Sequence, residues 1–349
     1  MRGEVADRAV SESGRARPRA AMAPWLERLV LSEYLVFYLT AVYFLIVWPI
    51  VPQIASLSSL YNMATDLLPL LVVAIGQTFV LIVAGIDLSV TSIIALASVV
   101  GASVMTADGG YLAGSPFAVP AGIVTFLAVG GLVGWFNGWC CTRLGMPPII
   151  VTLVGLMFLS GVAIWYTTGH TETSSIAGLP RSFVVIGQGR AHGVPHALWV
   201  ALAVGIAAHL LLRHTVFGRW LFAIGINRKA AEVSGVPVDK AILWAFVISG
   251  VCAAISSILY TGRLETGTPV MGERILLDII AAVVIGGTSL SGGKGKIVWT
   301  LGGVLFLVVI DTSLKLLGMS LFVVFAVKGA VILFAAIIDA MRQRIVQRG

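Results

Sequence analysis

Apolar residues in this chain come in long unbroken runs, so the runs themselves are the predicted elements. Five of them, Leu67–Ala84, Leu88–Met105, Ala118–Phe136, Pro148–Tyr166 and Ala241–Tyr260, are 18 to 20 residues long and carry no charge. That is the length a helix needs to cross a hydrocarbon core of about 30 Å. A sixth, Tyr34–Val51, starts too far into the chain for a cleaved secretory signal, and no small-x-small cleavage site follows it, so it reads as a retained first helix. Four further runs are interrupted by polar residues. Val194–Leu212 holds Pro195, His196 and His209; 275–290 holds Asp278; Ile297–Leu317 holds Asp311 and Lys315; Ser320–Ile338 holds Lys328. The pattern predicts an all-α polytopic membrane protein of about ten spans, eight being the other even count.

Charge sets the parity. Short cytoplasmic loops are enriched in Lys and Arg, and ten spans with both termini cytoplasmic place 17 of the 23 basic residues inside. Spans 2–5 and 7–10 then run in opposite directions, as the halves of an inverted repeat do, although the two halves share no convincing sequence identity.

The expected organisation is a polar cytoplasmic tail over 1–33, a transmembrane domain over 34–340 and a basic cytoplasmic tail over 341–349. The largest outer loop, 167–193, is polar enough to cap a path or dock a partner. The largest inner loop, 213–240, contains a short amphipathic helix pattern in which Arg228, Lys229 and Glu232 alternate with Ala230, Ala231 and Val233 before Gly235.

Composition agrees. The chain is 58% apolar and 11% charged, against about 45–50% and about 25% in soluble domains, which excludes a water-soluble globular fold. The net charge of +7 reflects basic cytoplasmic loops rather than nucleic-acid binding. Cys140 and Cys141 are adjacent, Cys252 stands alone and five histidines are scattered, so no metal site or disulfide framework is indicated.

Three features bear on chemistry. At Gly85-Ile86-Asp87-Leu88-Ser89 two apolar runs almost meet, and a carboxylate there must face water, protein or backbone donors; Asp87 is expected to cap the first turn of the helix that follows. The segment Gly286–Lys296 (GGTSLSGGKGK) looks like a phosphate loop but lacks the required spacing, because Thr288 falls where the first Gly belongs and Gly295 follows Lys294. No nucleotide-hydrolysing site is therefore expected, and no enzyme. Asp278, Asp311 and Lys328 are ionisable groups inside apolar runs, open to a proton relay, to substrate contact or to mutual pairing.

The segments GIDLSV (85–90), NG (137–138) followed by PPIIVTLVGLMFLSG (147–161), GRWLFAIGINRKAAEVSGV (218–236) and LLDIIAAVVIGGTSLSGGKGK (276–296) together resemble the ribose-type permease subunits of bacterial ABC sugar importers. The likeness spans about 66–340. Thr91 stands where these permeases usually close the first motif with Gly, and Asp311-Thr312 where they commonly show Asn.

The resemblance implies a multi-pass protein of the bacterial inner membrane working as a dimer, a homodimer being the simplest case. It would receive a monosaccharide or related polyol from an extracytoplasmic binding protein and be driven by separate cytoplasmic ATPase subunits that hold ATP and Mg, with no cofactor in this chain. Gly218, Arg219, Gly225, Asn227, Ala230, Ala231, Ser234 and Gly235 would form the region coupling it to the ATPase. A neutral sugar offers only hydroxyls to grip, so Gln77, Asp87, Ser89, Asn137, Thr152 and Thr288 are the candidates for its path. The other reading is an ion-coupled secondary transporter of a small polar solute, using Asp87, Asp278, Asp311 and Lys328; it gives the segment at 218–235 nothing to do.

Overall fold

The computed structural model describes residues 32 and 34–347, apart from the side chains of 335–336 and 338–347. All but residue 32 of the expected 1–33 tail lies outside the described residues. The chain divides into a short unit, 1–35, and a body, 36–349, which holds the fold.

Thirteen α-helices make up nearly all of the described secondary structure. They are α1 (Leu35–Val47), α2 (Leu57–Ile82), α3 (Val90–Met105), α4 (Ala118–Arg143), α5 (Pro148–His170), α6 (Arg181–Gln188), α7 (His196–His214), α8 (Val216–Ile226), α9 (Arg228–Val233), α10 (Val238–Leu264), α11 (Leu276–Gly286), α12 (Ile297–Leu316) and α13 (Leu321–Gln347). A two-residue hairpin, Arg190–Ala191 with Val194–Pro195, joins α6 to α7.

Six helices, α2, α4, α5, α7, α10 and α12, are long and apolar enough to cross a membrane, while α1, α3 and Leu321–Phe334 of α13 are apolar but shorter. The run at 275–290 does not form one helix. Gly287 adopts φ +116° and closes α11 after 11 residues, because only glycine takes that conformation without strain. Helix α2 begins ten residues before the apolar run that predicts it, where Ser56 accepts from the Ser59 amide at 3.2 Å and caps the first turn.

The core sits on α2, α12 and α10, whose most apolar stretches are 89%, 72% and 67% buried, against 17% for α5. Helix α4 reaches α10 through Gly130, Gly134 and Gly138, spaced four apart on one face. A Cβ on Gly134 would stand 2.4 Å from the Phe246 carbonyl oxygen, and one on Gly130 2.2 Å from that of Gly250. Such close backbone approach supplies the packing that lipid, as apolar as the side chains, does not drive. Hydroxyls fasten the other faces: Ser256 donates to the carbonyl of Pro69 inside α2 at 2.8 Å, and Thr78 meets Thr300 of α12 at 2.8 Å.

The two long loops are more ordered than their composition suggests. Over 167–193 the chain builds α6, whose Gly187 packs against Gly262 of α10. Over 213–240 there are two helices, not one. The chain turns at Asn227, whose side chain accepts from the Ala230 amide at 3.0 Å and starts α9 afresh.

Candidate functional site

The break between α2 and α3 is a buried polar knot. Asp87 Oδ1 accepts from the Ser89 amide at 3.0 Å and the Ser89 hydroxyl at 2.6 Å, and Oδ2 accepts from the Ser249 hydroxyl of α10 at 3.0 Å. Because the Ser89 proton is given to Asp87, its oxygen is free to accept from Asn137 Nδ2 of α4 at 2.8 Å. The Gln77 amide, oriented to satisfy both partners, donates to the Asp87 carbonyl at 3.1 Å and accepts from the Asp87 amide at 3.2 Å. Thr152 of α5 donates to the carbonyls of Pro148 and Ile86 at 2.9 and 3.2 Å.

Five of the six residues expected on a substrate path, Gln77, Asp87, Ser89, Asn137 and Thr152, are thus brought together from four elements, and all are buried. The expected cap differs in detail. Asp87 closes a local turn on Ser89, two residues on, instead of capping the first-turn amides of α3, because the helix starts only at Val90.

Thr288, the sixth, is buried elsewhere. It sits in the glycine-rich segment that follows α11, its hydroxyl without a partner among the described residues. This segment folds back onto the end of α2: the Gly293 amide donates to the Ile82 carbonyl at 2.9 Å. Gly225 of α8 closes the junction, for a Cβ there would stand 1.9 Å from the same Ile82 oxygen and 2.3 Å from the Gly293 nitrogen. Three main-chain segments, the end of α2, the glycine segment and α8, therefore touch with no side chain between them.

From this junction α9 leads away. Ala231 is buried against the body, but Ala230, Ser234, Gly235, Lys229 and Glu232 are exposed, as are Ile226 at 75% and Val233 at 84%. The expected alternation is only half realised, because a six-residue helix reaches the body on one side and leaves Val233 outward. Gly235 (φ +80°) ends the element as predicted. Gly218 packs on the Leu212 carbonyl, where an added Cβ would lie 2.1 Å from the oxygen, and Arg219 is exposed on α8.

The charges expected inside the membrane are not isolated. Lys328 Nζ of α13 lies 2.9 Å from Asp278 Oδ2 of α11 and 2.7 Å from Asp311 Oδ1 of α12, and Lys315 binds the other Asp311 oxygen at 2.5 Å. Positions 33 and 50 residues apart in sequence converge because three helices cross there. Sequence reasoning missed the Lys315 role and the whole of Ser249, whose hydroxyl is unremarkable in an apolar run. Among the described residues no group of three His, Cys, Asp or Glu side chains could hold a metal ion.

Comparison with known proteins follows the same segments. The family described as branched-chain amino acid transport system permease component matches residues 59–336. The ribose import permease protein RbsC of Escherichia coli (strain K12) is 36% identical over 292 residues, 84% of this chain and 88% of its own. That of Haemophilus influenzae is 34% identical over 288 residues, 82% and 87% of the two chains. The L-arabinose transport system permease protein AraH of E. coli (strain K12) is 32% identical over 335 residues, 96% and 98%. No solved structure matches the chain.

Proposed function

The chain belongs to the family of branched-chain amino acid transport system permease components, and from that membership we propose that it is the transmembrane subunit of an ATP-driven importer for a monosaccharide or related polyol in the bacterial inner membrane. Relatives named for ribose and for L-arabinose, aligned over 82–96% of this chain, support the sugar class.

The observation that carries the mechanism is the junction of Ile82, Gly225 and Gly293. Helices α8 and α9 present an exposed face to a partner and press main chain to main chain against the ends of two transmembrane elements. A separate ATPase docked there, binding ATP and Mg, moves α9, and with no side chain to absorb the displacement it passes to α2 and to the segment joining α11 to α12. Alternating access follows when those elements tilt. Hydrolysis belongs to the partner; this chain supplies the lever and the path.

Ten spans fit this reading: the six long helices, the shorter α1, α3 and α13, and α11 with its glycine segment. The second helix of each half is short, α3 with 16 residues and α11 with 11, beside first helices of 26 and 27 residues, which supports an inverted repeat over spans 2–5 and 7–10. A second copy of the chain completes the path along the exposed face of α5. The binding protein docks at the opposite end from α9, where α6 and the hairpin lie. The polar knot around Asp87 positions the start of α3. Asp278, Asp311 and Lys328 are committed to one another, which argues against the proton relay that an ion-coupled carrier needs.

The test is uptake of labelled pentoses, hexoses and polyols into vesicles carrying this chain with and without its ATPase and binding protein, with Ala231→Glu and Gly235→Leu in parallel. Uptake that requires ATP and both partners, and fails in the two variants, is the expected result. Uptake by the chain alone, stopped by a proton ionophore and indifferent to ATP, overturns it.

A further inference from the structure

Between α3, α5 and the segment entering α11 lies a cavity of about 290 Å³, near the lower edge of the about 300–1,000 Å³ usual for small-molecule sites. None of the six residues that sequence assigns to a substrate path lines it. Its lining mixes polar side chains, Thr91, Ser92, Ser160 and Glu273, with apolar ones such as Met157, Pro269 and Met271.

Of the polar lining, Ser92 is committed, its hydroxyl donating to the Ser89 carbonyl at 2.8 Å. Thr40, Thr78, Thr125, Thr142, Thr152 and Thr167 each donate to the carbonyl four residues earlier. Thr91 stands in the first turn of α3, and the residue four before it is Asp87, which lies outside the helix. The Thr91 hydroxyl, in a residue only 2% exposed, has no hydrogen-bond partner among the described residues; neither do the half-buried Ser160 and the exposed Glu273. Thr91 lines the cavity, where its free donor and acceptor are open to a ligand.

The cavity is also firmly built. The Ser257 hydroxyl donates to the Ile94 carbonyl at 2.7 Å, the Thr268 amide donates to Ser98 Oγ at 3.3 Å, and an added Cβ on Gly272 would stand 3.4 Å from Ile94 Cγ2. The segment bearing Glu273 is therefore pinned to the helix bearing Thr91. Hydroxyls set among apolar side chains match a sugar ring, which has hydroxyls around its rim and C–H groups on its faces. A carboxylate accepts from two neighbouring hydroxyls at once.

We propose that this cavity is a subsite for a neutral monosaccharide or polyol on the translocation path, in which Thr91 and Ser160 hydrogen-bond the sugar and Glu273 selects among sugars by receiving a pair of adjacent hydroxyls. The inference rests on the importer reading above. It is tested in the assembled importer, with ATPase and binding protein, reconstituted in vesicles. Ser160→Cys adds a thiol to the cavity, and Thr173→Cys adds a control thiol on an exposed loop; the native cysteines are buried. Labelling by a water-soluble maleimide is followed with D-ribose, L-arabinose and the other sugars of the uptake panel.

The expected result is that the transported sugar slows labelling of the Ser160→Cys variant and leaves the Thr173→Cys variant unaffected, while Glu273→Gln and the isosteric Thr91→Val raise the uptake KM by about tenfold, the loss of one good hydrogen bond. Labelling of the Ser160→Cys variant that ignores a sugar the same variant still takes up overturns the subsite and leaves the importer standing. A wild-type importer that takes up no member of the panel with ATP overturns the importer reading and the subsite together.

Discussion

Gly225 and Ile82 meet through main chain alone: the space a Cβ on Gly225 would fill is 1.9 Å from the Ile82 carbonyl oxygen. The contact is stiff in both directions, because neither partner can yield by turning a side chain. Overpacking of this kind costs about 1–3 kcal/mol. Gly225→Ala is expected to lower the melting temperature of the detergent-purified chain, and Gly225→Val to abolish uptake in the assembled importer while ATP hydrolysis continues. Uptake at the wild-type rate in both variants, followed in vesicles, would show that the junction transmits nothing.

The exposed face of α9, where the ATPase is proposed to dock, allows docking to be tested apart from folding. Val233 is 84% exposed, and surface substitutions away from buried features change stability by about 0.5 kcal/mol or less. Val233→Asp is expected to leave the melting curve of the isolated chain in place and to weaken capture of the ATPase subunit, measured by titrating that subunit onto the chain in nanodiscs. Unchanged capture would move the docking surface elsewhere.

Lys328 bridges Asp278 and Asp311, so removing it strands Asp278 and leaves Asp311 with Lys315 alone. Breaking a buried pair from one side costs about 3–5 kcal/mol, whereas replacing the whole group by neutral side chains of similar volume is often harmless. Lys328→Met is therefore expected to unfold or degrade, and the triple variant with Asp278→Asn and Asp311→Asn to recover expression and melting temperature. A triple variant no better than the single one would mean that the charges do more than pair.

The Asp87 carboxylate receives three donors and offers none. Asp87→Asn turns one acceptor into a donor facing a hydroxyl or amide, at a cost of about 1–3 kcal/mol. Ser249→Ala removes one bond and costs about 1 kcal/mol. Thermal unfolding of the two variants ranks them, and an Asp87→Asn variant as stable as Ser249→Ala would show that the knot tolerates a neutral amide.

Unbroken apolar runs made the long helices legible, because a charge-free stretch of about 20 residues has few other stable forms. Helix ends were less legible. The start of α2 carries Asn62 and Asp66, so hydropathy places it ten residues late, and the guanidinium of Arg263 binding Asp66 is visible only once α10 lies beside α2. The residues of the Asp87 knot could be picked out singly as polar groups in apolar runs. That Gln77, Asp87, Ser89 and Asn137 share one network with Ser249 could not, since Asn137 is 48 residues from Ser89 and Ser249 is 162 from Asp87. The four-residue spacing of Gly130, Gly134 and Gly138 was in plain view, and Phe246, Gly250 and Ala254 on α10 repeat it, but only the fold shows that the two rows meet. Likewise Asp278, Asp311 and Lys328 look solitary along the chain and become one cluster only through helix crossing.

That cluster has an electrical consequence. Two carboxylates, Asp278 and Asp311, stand against two ammonium groups, Lys315 and Lys328, so α11, α12 and α13 together carry these charges with no net sum. Moving one unpaired elementary charge through the field costs about 2.3 kcal/mol per 100 mV, enough to make a transport step depend steeply on membrane voltage. A tilt of three helices that takes its countercharges along does no such work. With an uncharged sugar as cargo, the cycle can run at the same rate in an energised cell and in a depolarised one, leaving ATP as the sole driving force.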